Sequence, residues 1–230
     1  MAGDAPCVYV AFPSATVEKA RAACDAWRAR GYRSAVFLNE GLSGSGADLE
    51  MTGAPYPGYW GSCNRLARRA VELGAEIVVL AADDMDPDPK LAAAEIGRQF
   101  LERFPDGFGV MQPCGDPQGR NLLGFGKPAA ARICGSPWVG RAWIRRAYRG
   151  RGPCDDRYFH FFGDNSLHDV ATKLKVLWMR PDLAQFHRHW LWGHQEKTDY
   201  QKRNDKHWAT DEERWKKDKA AGYPDGEPLP

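Results

Sequence analysis

Short β-prone apolar runs alternate with amphipathic helical stretches along the first half of the chain, and this rhythm limits the possible folds more than any other feature. Residues 7–11 are β-prone and end at Phe12-Pro13-Ser14, which reads as a turn. Val17, Ala20, Cys24 and Trp27 then share one helical face, and Gly31 stands where a C-cap glycine belongs. Residues 34–38 form the next strand candidate. A second helix from Trp60 puts Cys63, Leu66, Ala67 and Ala70 on one face, stops at Gly74 and leads into a strand over 76–80. Strands alternating with helices predict a single α/β domain with a mostly parallel sheet, helices on both faces, and ligands at the carboxyl ends of the strands.

The connection over 41–58 is rich in Gly and Ser and longer than a plain link requires, so it is a candidate functional loop. A third helix is predicted over 89–104, with Asp88 as N-cap and Pro89 at the first helical position. Residues 105–135 are irregular, and 137–149 reads as a helix ended by Gly150. Leu167, Val170 and Leu174 form a helical stripe before a strand over 176–179. The charged tail, with Trp208 and Trp215 seven residues apart, reads as a helix packing two tryptophans onto the domain. The resulting division is a domain over 1–193 and a helical extension over 194–230.

A 230-residue chain with 43% hydrophobic residues can bury a core without staples, so any metal would serve chemistry rather than folding. The 32 Lys and Arg against 30 Asp and Glu leave a net charge of +2, which selects no partner class. The six cysteines contain no C-x-x-C pair, which excludes a zinc knuckle or redox dithiol and reads as small buried residues in a reducing compartment. The longest apolar run, 77–82, is too short for a bilayer, and the N-terminus lacks the layout of a secretory signal. A cytoplasmic protein without membrane segments is expected.

The sharpest local feature is Leu80-Ala81-Ala82-Asp83-Asp84-Met85-Asp86-Pro87-Asp88, an apolar strand running straight into carboxylates. Like charges this close call for a cation. Hard oxygens without nearby thiols favour Mg²⁺ or Mn²⁺, which typically bind through one or two carboxylates plus substrate phosphates. The alternative is a solvated loop with helix-capping aspartates.

Residues 59–66, 74–80 and 83–87 together resemble the donor-binding half of family-2-like glycosyltransferases of the GT-A (Rossmann-like) fold, in which an asparagine-bearing helix precedes the strand that delivers a D-x-D motif. The resemblance covers 7–190. It implies that Asp84 and Asp86 hold the metal on a nucleotide diphosphate, that Asp83 lies beside the ribose or sugar, and that Asn64 belongs to the donor site. It further implies nucleotide contacts from Pro13 and Ser14, and base recognition from Asn39 and Glu40, where the family has an aspartate. Asp155 to Asn165 resembles the segment carrying the family's E-D pair, with Gly163 in place of the glutamate and Asp164 as catalytic base; the alternative for Asp164 is an N-cap or first-turn carboxylate. His187 and His189 stand where the family's C-terminal histidine completes the metal shell, or are surface histidines. The implied donor is a nucleotide sugar, a UDP-sugar by preference.

Arg141, Arg145 and Arg149 share one face of the helix predicted over 138–149, either as a solvated face or as a contact for a polyanion. With the interleaved aromatic residues they point to a DNA acceptor. The compact layout resembles phage-type transferases that glycosylate hydroxymethylated pyrimidines. Polysaccharide and protein acceptors stand as alternatives, as do a metal-dependent nucleotidyltransferase or pyrophosphohydrolase and a non-catalytic nucleic-acid-binding module. The glycines at 41–46 lack a following helix, and 124–128 has proline where a P-loop needs Ser or Thr, so the former reads as a lid or linker and the latter as a surface hairpin.

Overall fold

The computed structural model describes residues 5–116, 133–188 and 196–230. The alternation seen in the sequence becomes β1 (Val8–Ser14), α1 (Val17–Arg28), β2 (Arg33–Asn39), β3 (Leu49–Gly53), α2 (Gly58–Glu72) and β4 (Ile77–Leu80). The remaining elements are β5 (Met85–Asp86), α3 (Ala93–Arg103), β6 (Val110–Pro113), β7 (Trp138–Gly140), α4 (Arg141–Arg146), α5 (Gly163–Lys173), β8 (Leu177–Arg180), β9 (Phe186–His187), α6 (Asp199–Asn204) and α7 (Trp208–Ala220). Seven strands form one sheet in the order β3-β2-β1-β4-β7-β6-β8, and β5 pairs with β9 alone. Every neighbour pair in the large sheet is parallel except those made by β7, which runs antiparallel to both β4 and β6.

Side chains of β1 alternate between two cores, as the pleat requires. Tyr9 and Ala11 pack with α2, α4 and α5 on one face, and Val8, Val10 and Phe12 with α1 and α3 on the other. Helices therefore cover both faces of a mostly parallel sheet, as the sequence predicts. α1 is opened by Thr16, whose hydroxyl accepts the Lys19 N–H at 3.3 Å.

Four local expectations are corrected. Phe12-Pro13-Ser14 belongs to β1: beyond Ala11 the strand is paired only with β2, so the N–H that Pro13 lacks has no β4 partner to lose. The loop over 41–58 contains the edge strand β3, anchored by Asp48 accepting Ser34 N at 2.8 Å and Glu50 accepting Ser45 N at 2.8 Å. α3 starts at Ala93, because Asp88 does not cap a helix. Its Oδ1 turns the chain by accepting Lys90 N and Leu91 N, and its Oδ2 accepts Ala184 N at 2.9 Å. The helix predicted over 137–149 is instead β7, the six-residue α4 and a turn in which Tyr148 and Arg149 have φ of 49° and 56°. Trp138 and Val139 are fully buried because β7 is an interior strand whose alternate side chains enter the two cores on opposite faces of the sheet. Residues 124–128 lie outside the described residues.

The tail joins the main body. Trp215 stacks on Phe162 with ring centroids 5.5 Å apart, and Trp208 meets Phe161 at 4.8 Å although it remains half exposed.

Candidate active site

The sheet order reverses direction between β1 and β4, the place where open α/β sheets form a ligand crevice beyond the strands' carboxyl ends. Ser14 at the end of β1 donates its hydroxyl to Asp83 Oδ2 at 2.6 Å, tying the acidic run after β4 to its neighbour strand. Desolvation lifts the Asp83 carboxyl above the ordinary range, the Ser14 hydrogen bond opposes that rise, and the charge of Asp84 reinforces it. Pro13 is half-buried on the same strand end. Asn39 ends the adjacent strand β2, where Leu38 pairs with Ser14, and the exposed Glu40 follows it.

The β5–β9 ladder aligns Met85 with His187 and Asp86 with Phe186, which brings residues a hundred positions apart in sequence into one small structure. Arg188 N donates to Asp84 O at 2.8 Å, and His187 Nε2 lies 3.1 Å from Asp84 Oδ1. Asp86 engages a different partner, Arg188 Nε at 3.3 Å. Among the described residues no three His, Cys, Asp or Glu side chains converge into a complete protein shell for a metal. The two that do converge fit a shared one: with bonds of about 2.1 Å, adjacent ligands of an octahedral ion are about 3.0 Å apart, and Mg²⁺ in particular is commonly held by one or two protein ligands plus phosphates. Asp84 and His187 thus fit a site completed by a bound diphosphate. His189 lies outside the described residues.

Asp164 stands in the first turn of α5. The helix begins after Phe162, whose φ of 60° turns the chain sharply, and a Cβ on Gly163 would sit 2.2 Å from the Trp60 indole. That contact explains why glycine occupies the position where the resembling family carries glutamate. Desolvation raises the half-buried Asp164 carboxyl, and a hydrogen bond from Asn165 N at 2.9 Å partly counters it. The start of α2 joins this segment to the acidic run. Tyr59 OH donates to Ala81 O at 2.9 Å, two residues before Asp83, while Trp60 packs on Gly163, one residue before Asp164.

Two groups of expected site residues have other work. Asn64 is 2% exposed and uses its amide on the backbone of one residue, donating to Cys154 O at 2.8 Å and accepting Cys154 N at 3.0 Å. It braces the 150s segment, a role the sequence pattern did not signal. The arginine face is also dissolved. Arg141 donates to Ala75 O and Gly74 O at the carboxyl end of α2, and Arg149, beyond the kink, donates to Pro224 O and lies 3.8 Å from Asp225. Arg145 on α4 and Arg149 beyond the kink both remain exposed.

Residues not singled out in the sequence crowd the same region. Tyr56 OH and Tyr200 OH are 2.7 Å apart, which brings α6 over the segment ahead of α2, and the Asp83 charge helps to raise the Tyr200 phenol, after desolvation. Burial lowers His160 to about 4, so its ring is neutral at pH 7; its Nδ1 lies 3.3 Å from Asn204 Nδ2. Asp211 of α7 accepts three backbone N–H groups from 159–161. No sequence spacing signals such contacts, because each joins segments at least forty residues apart.

Compared with known protein families and curated proteins, the chain matches none. Among solved structures it is similar to a glycosyltransferase involved in the glycosylation of the major capsid of PBCV-1, with 12% identity and a TM-score of 0.33 over 61% of this chain and 62% of the other. A likeness of this size fixes neither an activity nor a substrate.

Proposed function

We propose that this protein is a metal-dependent glycosyltransferase that moves a sugar from a nucleotide-diphosphate donor, a UDP-sugar by preference, to an acceptor hydroxyl. The observation that carries the reading is the pair Asp84 Oδ1 and His187 Nε2, 3.1 Å apart beyond β4 and beside the Ser14–Asp83 link. Bound there on the donor diphosphate, Mn²⁺ or Mg²⁺ would supply charge neutralisation of the leaving group. Asp84 and His187 hold that end of the donor, and Asp83, fixed by Ser14, faces its ribose or sugar. Asp164 accepts the proton of the acceptor hydroxyl as its oxygen bonds to the anomeric carbon and the carbon–diphosphate bond breaks. A raised carboxyl suits a base, since it holds a proton more strongly than a solvated aspartate would.

The DNA acceptor rested on a continuous arginine face, and two of its three arginines are engaged within the protein. A neutral glycan or protein hydroxyl is therefore the favoured acceptor. The test is release of nucleoside diphosphate from a panel of sugar nucleotides with Mn²⁺, with and without glycan, protein and hydroxymethylated DNA acceptors. Asp84→Ala is expected to abolish both release and donor-dependent Mn²⁺ binding without unfolding the chain. Full wild-type turnover in excess chelator would overturn metal dependence, and release of monophosphate or pyrophosphate instead would favour a nucleotidyltransferase or pyrophosphohydrolase.

A further inference from the structure

We infer that Asp211, in the C-terminal helix α7, is a positioning residue for the catalytic segment: it fixes the backbone of 159–161 and through it the placement of Asp164. This rests on the transferase reading for its catalytic consequence. The geometry is local and strong. Asp211 is 2% exposed, and its carboxylate accepts Phe159 N at 3.1 Å, His160 N at 3.0 Å and Phe161 N at 2.9 Å. Three consecutive N–H groups aimed at one anion cannot pair with each other, and leaving them buried without a partner would be costly.

The carbonyls of the same segment point the other way. Phe159 O accepts Tyr59 N at 2.8 Å, and His160 O accepts Trp60 Nε1 at 3.1 Å. The approach is close enough that a Cβ on Gly58 would lie 2.5 Å from Phe159 O. Residues 159–161 are therefore clamped between α2 and α7, with donors on one side and acceptors on the other. Immediately downstream stand Phe162 in the left-handed region, Gly163 against Trp60, and Asp164. A second carboxylate of α7 holds the start of the segment, since Asp218 accepts both Tyr158 OH and Arg157 Nη2 at 2.9 Å. The extension thus holds the segment ahead of Asp164, beyond the packing of two tryptophans that its sequence predicts.

Asp211→Asn keeps the shape but turns one acceptor oxygen into a donor that faces N–H groups; Asp211→Glu keeps the charge. Amide hydrogen exchange is expected to rise about tenfold to a hundredfold over 159–161 in Asp211→Asn, with β1 and β4 unchanged and partial rescue in Asp211→Glu. With UDP-glucose and Mn²⁺ as probe, kcat for diphosphate release should fall at least about tenfold while donor KM stays constant, because the donor is held by Asp83, Asp84 and His187 rather than by this segment. Unchanged exchange would overturn the clamp, and raised exchange with unchanged kcat would overturn its role in positioning. A wild type inert toward every sugar nucleotide would sink the transferase reading alone, and the exchange measurement would still decide the clamp.

Discussion

Replacing Asn64 by alanine separates a structural role from a donor-binding one. The side chain makes two hydrogen bonds, to the carbonyl and the N–H of Cys154, both buried. Each bond contributes about 1 kcal/mol net, and each backbone group left without a partner costs about 1–3 kcal/mol. Because the two terms overlap, the expected loss is about 2–5 kcal/mol. In a chain of this size that lowers the melting temperature by roughly 4–20 °C. Equilibrium urea unfolding followed by tryptophan fluorescence measures the first quantity and differential scanning calorimetry the second. Donor affinity, measured by calorimetric titration of sugar nucleotide with Mn²⁺ below the transition, should remain within a factor of about two, since Asn64 is buried and turned toward Cys154. A stability change below about 0.5 kcal/mol together with a drop in donor affinity would instead place Asn64 at the donor.

Two further substitutions probe the segment around Asp164. Gly163→Ala drives a methyl group to 2.2 Å from the Trp60 indole and should destabilise by about 1–3 kcal/mol with a blue- or red-shifted tryptophan emission; an unperturbed spectrum and melting temperature would show that the contact can relax freely. Asp164→Asn should cut turnover steeply while sparing donor binding, and unchanged turnover would return Asp164 to a helix-capping role. Its stability effect has a definite sign: burial raises the folded carboxyl above its unfolded value of about 3.9, so wild type is favoured at low pH and loses stability as pH rises through the folded value. The neutral amide escapes that loss, so the variant should be the more stable protein near pH 7, with the gap closing on acidification; melting curves that run parallel across this range would refute the burial argument.

Hydrophobic periodicity is a local property, and what it reports was legible in the sequence. The register of β1, α1, α2 and β4, the glycines that stop the helices, and the helix-covered parallel sheet all follow from side chains meeting water on one side and core on the other. The same logic misassigned 138–149, where Trp138 and Val139 sit in a strand buried on both sides; buried positions there fit a helical period as readily as an extended one. The acidic run after β4 was visible as a concentration of charge, but only the β5–β9 ladder sets His187 against Asp84, and only chain contacts made across the fold commit Asn64 to Cys154 and Asp211 to 159–161. A hydrogen-bonding side chain carries no sequence mark of its partner, because the bond depends on geometry within about 3 Å. The sequence by itself therefore determined which segments fold and where charge accumulates, and the tertiary structure decided which polar groups meet beyond the strand ends and which are used up in holding the chain together.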